Sequence, residues 1–208
     1  MLSKIPHANI TKIVPLEKSF QIYWLKEVDS TNAEAQRRIS AGSGDSANLS
    51  VLAAESQTAG KGQGDHKWHS LPGDNLTFTI ILRYDGTDGS FPPFPANRQK
   101  EISDLTAQAV VDYLALHGIK AWIKPPNDIW IEDKKICGLL IKHRVSGSSL
   151  LQTIIGIGLN INEKDFPADL PNPTSLAIEA GLETRLNTHS ELERFLEIFS
   201  NSLKLLEA

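Results

Sequence analysis

The sequence has a single cysteine, Cys137, and it has no apolar run of the roughly 18 residues that a membrane-spanning helix needs. One thiol excludes an intrachain disulfide, and the polar N-terminus lacks the pattern of a signal peptide. Positive charge is not in excess either, because 21 Lys and Arg stand against 25 Asp and Glu, for a net charge of -4. A protein that coats nucleic acid would carry a basic surface. We therefore expect a soluble cytoplasmic protein that binds neither DNA nor membrane.

Length and composition favour a single domain over residues 1–208, since 40% of the residues are hydrophobic, enough for a sizeable core. Apolar alternation and short apolar runs predict strands over residues 20–25, 49–54, 76–82, 119–124, 129–131, 136–141 and 150–161. Helical spacing predicts helices from residues 29–32 onward, over residues 102–116, around residues 176–180 and over residues 192–206. This order indicates an α+β domain around a mixed, largely antiparallel sheet flanked by helices.

Local signals predict how these elements begin and end. Thr31 with Glu34, and Ser190 with Glu193, have the spacing of a capping box, in which two side chains satisfy free amides of the first turn. Gly42 is placed where the first helix should stop. Residues 84–97 are rich in glycine and proline, which predicts a surface excursion without regular structure.

A glycine-rich polar segment, residues 56–68, joins two predicted strands. Gly60, Gly62 and Gly64 alternate with polar residues, a pattern that suits a backbone approaching an anion closely. The segment is not a Walker loop, because Glu55 and Gly62 stand where that motif needs glycine and Ser or Thr. Nor does it open a helix as a dinucleotide fingerprint does. A flexible hairpin connection is the plain structural alternative.

Two further polar clusters accompany this loop. Residues 124–128, Lys-Pro-Pro-Asn-Asp, precede one predicted strand, and Lys135 begins the next. Residues 156–162 place Asn160 and Asn162 in an otherwise apolar strand, where unpaired amides would be costly. Three polar clusters on neighbouring strands indicate a binding site.

Taken in order, these segments resemble the biotin protein ligase family over about residues 20–180. The resemblance rests on Ser30-Thr31-Asn32, Gln57-Thr58-Ala59-Gly60-Lys61-Gly62, Trp68 with Ser70, Pro126-Asn127-Asp128-Ile129, Lys135-Ile136-Cys137-Gly138-Leu139-Leu140, Gly156-Ile157-Gly158-Leu159-Asn160-Ile161-Asn162 and Thr174-Ser175-Leu176. It implies a catalytic core similar to class II aminoacyl-tRNA synthetases. On this basis we expect neither an N-terminal DNA-binding domain nor a C-terminal SH3-like domain.

The resemblance also implies an activity, the ATP-dependent formation of biotinyl-5'-AMP and the transfer of biotin to a lysine. The expected partner is the biotin carboxyl-carrier domain of acetyl-CoA carboxylase or a related carboxylase, and a homodimer is left open. ATP and Mg²⁺ are the implied cofactors, with Mg²⁺ held mainly by phosphates. No protein metal site is expected, because His66 and His69 have no evident third ligand.

Residue roles follow from the resemblance. The implied biotin-binding residues are Ser30, Thr31, Asn32, Gln57, Gly60, Lys61, Lys135 and Gly138. The implied ATP- or adenylate-binding residues are Gly62, Gln63, Trp68, Asn127 and Asn160. The implied catalytic residues are Lys135, Asp128 and Lys61. The site must hold two anions together, so cations and aligned amides should lie where charge develops.

Several of these residues have plainer explanations. Ser30 and Thr31 could cap a helix, Lys135 could be a solvated hairpin lysine, Asp128 could cap a turn, and Asn160 could be a satisfied buried amide. Two other functions also fit the sequence: a lipoate or octanoate protein ligase, and a biotin-binding protein without catalysis. The hydroxyl and amide groups of Ser30, Thr31 and Gln57 favour a ureido ring over a dithiolane ring, because only the ureido ring offers both hydrogen-bond donors and a carbonyl acceptor.

The sequence departs from the family at three positions. Many members carry arginine at the positions of Lys61 and Gln63, and tryptophan at the position of Pro125. Arginine binds phosphate through two parallel hydrogen bonds, whereas lysine offers a point charge and glutamine offers none. We expect biotinyl-adenylate to escape faster from this loop than from one with two arginines.

Overall fold

The computed structural model describes residues 10–12, 20–86, 90–126 and 128–206 of the chain. The strands are β1 Ile10–Lys12, β2 Gln21–Val28, β3 Ser50–Gln57, β4 Leu76–Arg83, β5 Phe94–Pro95, β6 Trp122–Lys124, β7 Asp128–Ile131, β8 Lys134–Ser146 and β9 Ser149–Leu159. The helices are α1 Thr31–Ala41, α2 Gln99–Leu116, α3 Leu176–Glu179 and α4 Thr188–Leu203. Within these residues, no helix is both long and apolar enough to span a membrane.

The described strands form one sheet in the order β1-β2-β3-β4-β9-β8-β7-β6, and β5 adds to β9 off this path. Strands β2 and β3 run parallel, with Gln21 opposite Ser50, and α1 lies in the crossover between them. The other described pairs are antiparallel. The mixed, largely antiparallel α+β fold expected from the sequence is confirmed.

The two faces of the sheet are covered differently. Helices α2 and α4 pack on one face, where Tyr113, Phe195 and Phe199 join the main core. Helix α1 packs on the other face over a smaller cluster that includes Ala35 and Ile81. Strand β4 is therefore buried on both faces, although its alternation of Leu and Phe with Thr is typical of a half-buried strand.

Both predicted capping boxes are wrong. Helix α1 begins at Thr31 with Ser30 as its N-cap, and no side chain caps it. Helix α4 begins at Thr188, where the Asn187 side chain accepts a hydrogen bond from the Ser190 amide at 3.1 Å. Gly42 does end α1 in the left-handed conformation, as its position predicted.

Residues 84–97 are more ordered than their proline content predicts. Phe94 and Pro95 form strand β5 against Leu150 and Ser149, and a short 3₁₀ helix follows at Ala96–Arg98. Phe91 and Phe94 are buried against Tyr84, so the excursion is attached to the core through its aromatic side chains. Proline is tolerated in β5 because a two-residue edge strand needs few amide donors.

Candidate active site

A cavity of about 250 Å³ lies where the N-terminus of α1 faces strands β8 and β9. Residues 61–68 of the glycine-rich loop cover it, and we call this part of the chain the roof segment. The lining residues are Ser30, Thr31, Asn32, Gln57, Lys61, Gly62, Gln63, His66, Lys67, Trp68, Pro126, Asp128, Lys135, Gly138, Leu139, Leu140, Gly156, Ile157 and Gly158. The three polar clusters of the sequence therefore meet in one cavity.

Glycines form the floor of this cavity. Gly138 and Gly158 are opposite each other in the β8–β9 ladder, and the Trp68 ring lies over both. A Cβ atom on Gly158 would overlap the Trp68 ring, and one on Gly138 would approach it to 3.1 Å. A Cβ atom on Gly156 would likewise overlap the Asn32 amide. Any side chain at these positions would displace a wall of the cavity.

A polar network occupies the end of the cavity beneath α1. Gln57 Oε1 accepts from the Thr31 amide at 2.8 Å and from the Thr31 hydroxyl at 3.2 Å. Thr79 Oγ1 donates to Asn32 Oδ1 at 2.8 Å, and Asn32 Nδ2 donates to the Leu140 carbonyl at 3.0 Å. Since Gln57 turns its oxygen to α1, its amide donors are directed away from the helix. This network explains why the hydroxyl of Thr31 does not cap its own helix.

Lys135 and Asp128 form an ion pair at the opposite side of the cavity. The Lys135 Nζ to Asp128 Oδ1 distance is 2.7 Å, and each side chain is about one quarter to one third exposed. Strands β7 and β8 create this contact, because Asp128 is opposite Gly138 in their antiparallel ladder. Lys135 Nζ also lies 5.9 Å from the centre of the Trp68 ring. A solvated hairpin lysine at position 135 would not explain this pair, and neither would a carboxylate at position 128 that only caps a turn.

The roof segment is a tight hairpin. The Gly62 amide donates to the His66 carbonyl at 2.8 Å, and the Trp68 amide donates to the Gly60 carbonyl at 3.0 Å. Lys61 and Lys67 are paired across this hairpin as an antiparallel bridge. The Gly62 amide is thus used within the loop, and the two lysine side chains remain as its cationic groups.

The structure brings together most of the residues expected from the sequence. Ser30, Thr31, Asn32, Gln57, Lys61, Gly62, Gln63, Trp68, Asp128, Lys135 and Gly138 all line the cavity. Gly60 and Asn160 do not line it. The Asn160 amide donates to the Thr174 carbonyl at 2.8 Å and so holds the segment before α3. Asn127 lies outside the described residues, and its role stays a prediction.

Sequence reasoning overlooked several cavity residues. His66, Lys67, Gly156 and Gly158 line it, and none of them was singled out as a site residue. The spacing of two between Gly156 and Gly158 places both on one face of a strand, a signal that could have found them. Lys67 had no comparable signal, because its place depends on the bridge to Lys61.

Two titratable groups near the cavity have structural roles. Burial raises the pKa of the Cys137 thiol well above its ordinary value, so the thiol stays protonated at neutral pH and is no nucleophile. His69 Nε2 lies 3.0 Å from Glu163 Oε1. The described residues contain no group of three His, Cys, Asp or Glu side chains that could hold a metal ion.

The fold and cavity are those of an α+β domain with a pocket of about 250 Å³ for a small ligand beneath a glycine-rich roof. Residues 24–160 match the biotin/lipoate A/B protein ligase family. Because this match covers more than half of the chain, the chain belongs to that family.

Two curated relatives illustrate the likeness. The bifunctional ligase/repressor BirA of Bacillus spizizenii is 36% identical over 135 residues, which are 63% of this chain and 39% of that protein. The biotin--[acetyl-CoA-carboxylase] ligase of Paracoccus denitrificans is 33% identical over 140 residues, which are 66% of this chain and 53% of that protein. The chain thus spans about half or less of the length of these relatives.

A solved structure shows the same fold. The biotin protein ligase of Aquifex aeolicus, in complex with biotin and ATP, superposes with a TM-score of 0.66 at 27% sequence identity. The match covers 91% of this chain and 71% of that one. The central sheet and its helices are therefore those of a biotin protein ligase core.

Proposed function

We propose that the protein activates biotin with ATP to biotinyl-5'-AMP and transfers biotin to a lysine of a carboxylase carrier domain. One observation supports this proposal above the others. A single cavity is lined by the hydrogen-bonding side chains of Ser30, Thr31 and Gln57, by the Lys135–Asp128 pair and by two lysines of the roof segment. A relative named as a biotin--[acetyl-CoA-carboxylase] ligase is 33% identical over 140 residues.

The polar end suits the ureido ring of biotin. The ring presents one carbonyl acceptor and two N–H donors, so its pocket needs both donors and acceptors. Ser30, Thr31 and Gln57 supply hydroxyl and amide groups there, and Asn32 closes the end of the cavity. Trp68 lines the cavity with its ring packed on Gly138 and Gly158, and this apolar surface suits the aliphatic chain of biotin.

The cationic side suits the reacting groups. In the first step a carboxylate oxygen of biotin bonds to the α-phosphorus of ATP, and the bond to pyrophosphate breaks. Negative charge gathers on the phosphate oxygens, where Lys61, Lys67 and Lys135 lie within the same cavity. Fixed cations at that point stabilise the transition state more than the separate reactants.

The second step requires a neutral lysine. The carrier amine bonds to the acyl carbon of the adenylate, AMP leaves, and the amine loses a proton. An ordinary lysine, with a pKa of about 10.4, is almost entirely protonated at neutral pH. Asp128 is placed to accept that proton or to orient the amine, because its carboxylate lines the cavity beside Lys135.

ATP would enter from the side of the roof segment, with Gly62, Gln63 and Trp68 as its neighbours. A role of Asn127 toward the adenylate stays a prediction, and Asn160 could act only from outside the cavity lining. The protein offers few ligands for Mg²⁺. Among the described cavity residues the one carboxylate is Asp128, and it is paired with Lys135. The residues present fit an ion that arrives with ATP and is held mainly by phosphates, where it would neutralise phosphate charge.

A lipoate or octanoate ligase is the second candidate, because the family includes lipoate ligases. The hydroxyl and amide groups of Ser30, Thr31 and Gln57 favour biotin over a dithiolane or alkyl chain. The cytoplasmic location and the homodimer stay predictions.

The test is exchange of labelled pyrophosphate into ATP, measured with biotin, lipoate or octanoate. We expect exchange with biotin alone, and at least a tenfold loss in Lys135→Ala, since removing one charge-stabilising group costs at least that much. Lys134→Ala is the matched control, because that lysine pairs with Glu179 outside the cavity. Exchange with lipoate but not biotin would support the second candidate. Binding of biotin without exchange would show a binding protein.

A further inference from the structure

Glu163 is a buried carboxylate that the proposed mechanism does not use. It follows strand β9 and is fully buried. Among the described residues, no lysine or arginine lies within ion-pair distance of it. Burying a carboxylate without hydrogen bonds costs much free energy, so breaking the hydrogen bonds to Glu163 would be costly. The groups that donate these bonds are therefore held in place.

Among the described residues, the groups that hydrogen-bond the Glu163 side chain belong to residues 69–75, which follow the roof segment. Its Oε1 atom lies 3.0 Å from His69 Nε2, and its Oε2 atom accepts from the Leu71 amide at 3.3 Å and from Asn75 Nδ2 in a short contact. Because a carboxylate only accepts, the bond assigns the His69 proton to Nε2. Asn75 Oδ1 in turn accepts from the Ile161 amide at 2.9 Å.

These contacts fix the residue next to Trp68. Trp68 immediately precedes His69, and its ring lies on Gly138 and Gly158 in the floor of the cavity. The other side of the loop is tied down independently, since the Thr58 and Ala59 amides donate to backbone carbonyls at the end of β2. The position of the Trp68 ring therefore depends on the attachment of residues 69–75 to Glu163.

We infer that Glu163 is a positioning residue for this cavity: through His69, Leu71 and Asn75 it holds the end of the roof segment so that the Trp68 ring stays on Gly138 and Gly158 as a wall of the biotin site. This role rests on the proposed function as far as biotin is concerned. The attachment itself is independent of any ligand. The His69 side chain is 34% exposed, whereas that of Glu163 is fully buried, so His69 is the partner that can be changed with less disturbance of the core.

The experiment compares Glu163→Gln, His69→Phe and His69→Gln with Glu183→Gln, an exposed control on the segment after α3. Biotin-dependent pyrophosphate exchange gives kcat and the KM for biotin. Misplacing a roof that binds the ground state and transition state alike raises KM and leaves kcat almost unchanged. We expect a KM about tenfold higher in Glu163→Gln and about fivefold higher in His69→Phe. His69→Gln keeps a donor near the position of Nε2 and should restore KM to within about twofold of wild type.

A second measurement needs no biotin. Trypsin reaches the bonds after Lys61 and Lys67 more readily when the hairpin of the roof segment opens, so Glu163→Gln and His69→Phe should be cut at least fivefold faster than wild type there. Unchanged cleavage and unchanged KM in Glu163→Gln would overturn the inference. If that variant fails to fold, equal KM values in His69→Phe and His69→Gln would overturn it instead. Wild-type protein without exchange, but with faster cleavage in the variants, would overturn the proposed function and leave the attachment standing.

Discussion

At the scale of single residues, Asp128 separates the proposed chemistry from simple binding. Asp128→Ala removes the carboxylate beside Lys135 but leaves the polar end of the cavity intact. We expect transfer of biotin to a carrier domain to fall at least tenfold, since loss of a general base costs about 10² to 10⁴ in rate. Titration calorimetry should show biotin affinity within about twofold of wild type.

The control for Asp128 is Asp133→Asn, on the turn between β7 and β8. It removes a carboxylate from the same part of the chain without touching the cavity. Transfer by Asp128→Ala at the wild-type rate would exclude Asp128 from the mechanism.

Gly158 tests the floor of the cavity. In Gly158→Ala the new methyl group would overlap the Trp68 ring, so the ring must move off the floor of the cavity. We expect a loss of about 1–3 kcal/mol in the free energy of unfolding, as for other overpacked sites, and biotin affinity lower by at least tenfold. Urea unfolding and titration calorimetry measure the two effects.

Gly44→Ala is the matched control, because a Cβ atom there has no neighbour within 4 Å. It should leave both quantities close to wild type. Gly158→Ala with unchanged biotin affinity would show that Trp68 does not form a wall of the binding site.

At the scale of elements, the start of α4 can be located by mutation. Asn187→Ala removes the side chain that accepts from the Ser190 amide, and such a change costs about 1 kcal/mol of stability. Ser190→Ala, at the position that the sequence pattern predicted as the cap, should change stability by less than about 0.5 kcal/mol. Chemical denaturation of the two variants checks this order. A larger loss of stability in Ser190→Ala than in Asn187→Ala would show that the predicted capping box is correct.

The Asp29–Arg37 ion pair at the start of α1 should make the free energy of unfolding depend on pH. A hydrogen bond from Arg37 lowers the pKa of Asp29 to about 2 from its ordinary 3.8. A carboxyl with a lowered pKa stabilises the fold above its unfolded value and loses that contribution as pH falls through its folded value. The free energy of unfolding should therefore decline between about pH 4 and pH 2.

The Asp29 contribution is isolated by comparing variants. Asp29→Asn should show a shallower decline in that window than wild type, whereas Asp65→Asn, at the exposed tip of the roof segment, should decline like wild type. Thermal unfolding followed across the window measures the slopes. Identical slopes for all three proteins would show that the Asp29–Arg37 pair adds nothing to the fold.

Sequence patterns identified elements better than their boundaries. The predicted strands and helices are present because their apolar periodicity matches their burial, as for Tyr113 in α2 and Phe199 in α4. The capping residues were misplaced because several Ser, Thr and Asn residues precede each helix, and tertiary contacts choose among them. The Thr31 hydroxyl, for example, donates to Gln57 Oε1, and Gln57 is distant from it in sequence.

At the scale of the whole molecule, the site was predictable where its residues are neighbours in sequence and unpredictable where strand register brings them together. Ser30 to Asn32 and Lys135 to Gly138 were found as short motifs. Lys67 reaches the cavity through its pairing with Lys61, which no local pattern specifies. The spacing of Gly156 and Gly158 predicts a shared strand face, but only the register of β8 and β9 places Gly158 opposite Gly138. Glu163 was overlooked for the same reason, since its partners lie some 90 residues earlier in the chain.

The fold assembles the site from distant parts of the chain. Helix α1 and the roof segment come from the first third, while β8 and β9 come from the second half. In the sheet, Leu159 at the end of β9 is opposite Leu76 at the start of β4 and Cys137 near the start of β8. The glycine-rich loop before β4 therefore lies close to the strands that carry Lys135, Gly138 and Gly158. We propose that this arrangement brings biotin and ATP into contact in one cavity.

A crystal structure of the protein grown with biotin and ATP would show whether the two meet. We expect biotinyl-5'-AMP in the cavity, with its ureido ring within hydrogen-bond distance of Gln57 and its phosphate within reach of Lys135. Biotin and ATP bound in separate places, or a ureido ring away from Gln57, would contradict this proposal.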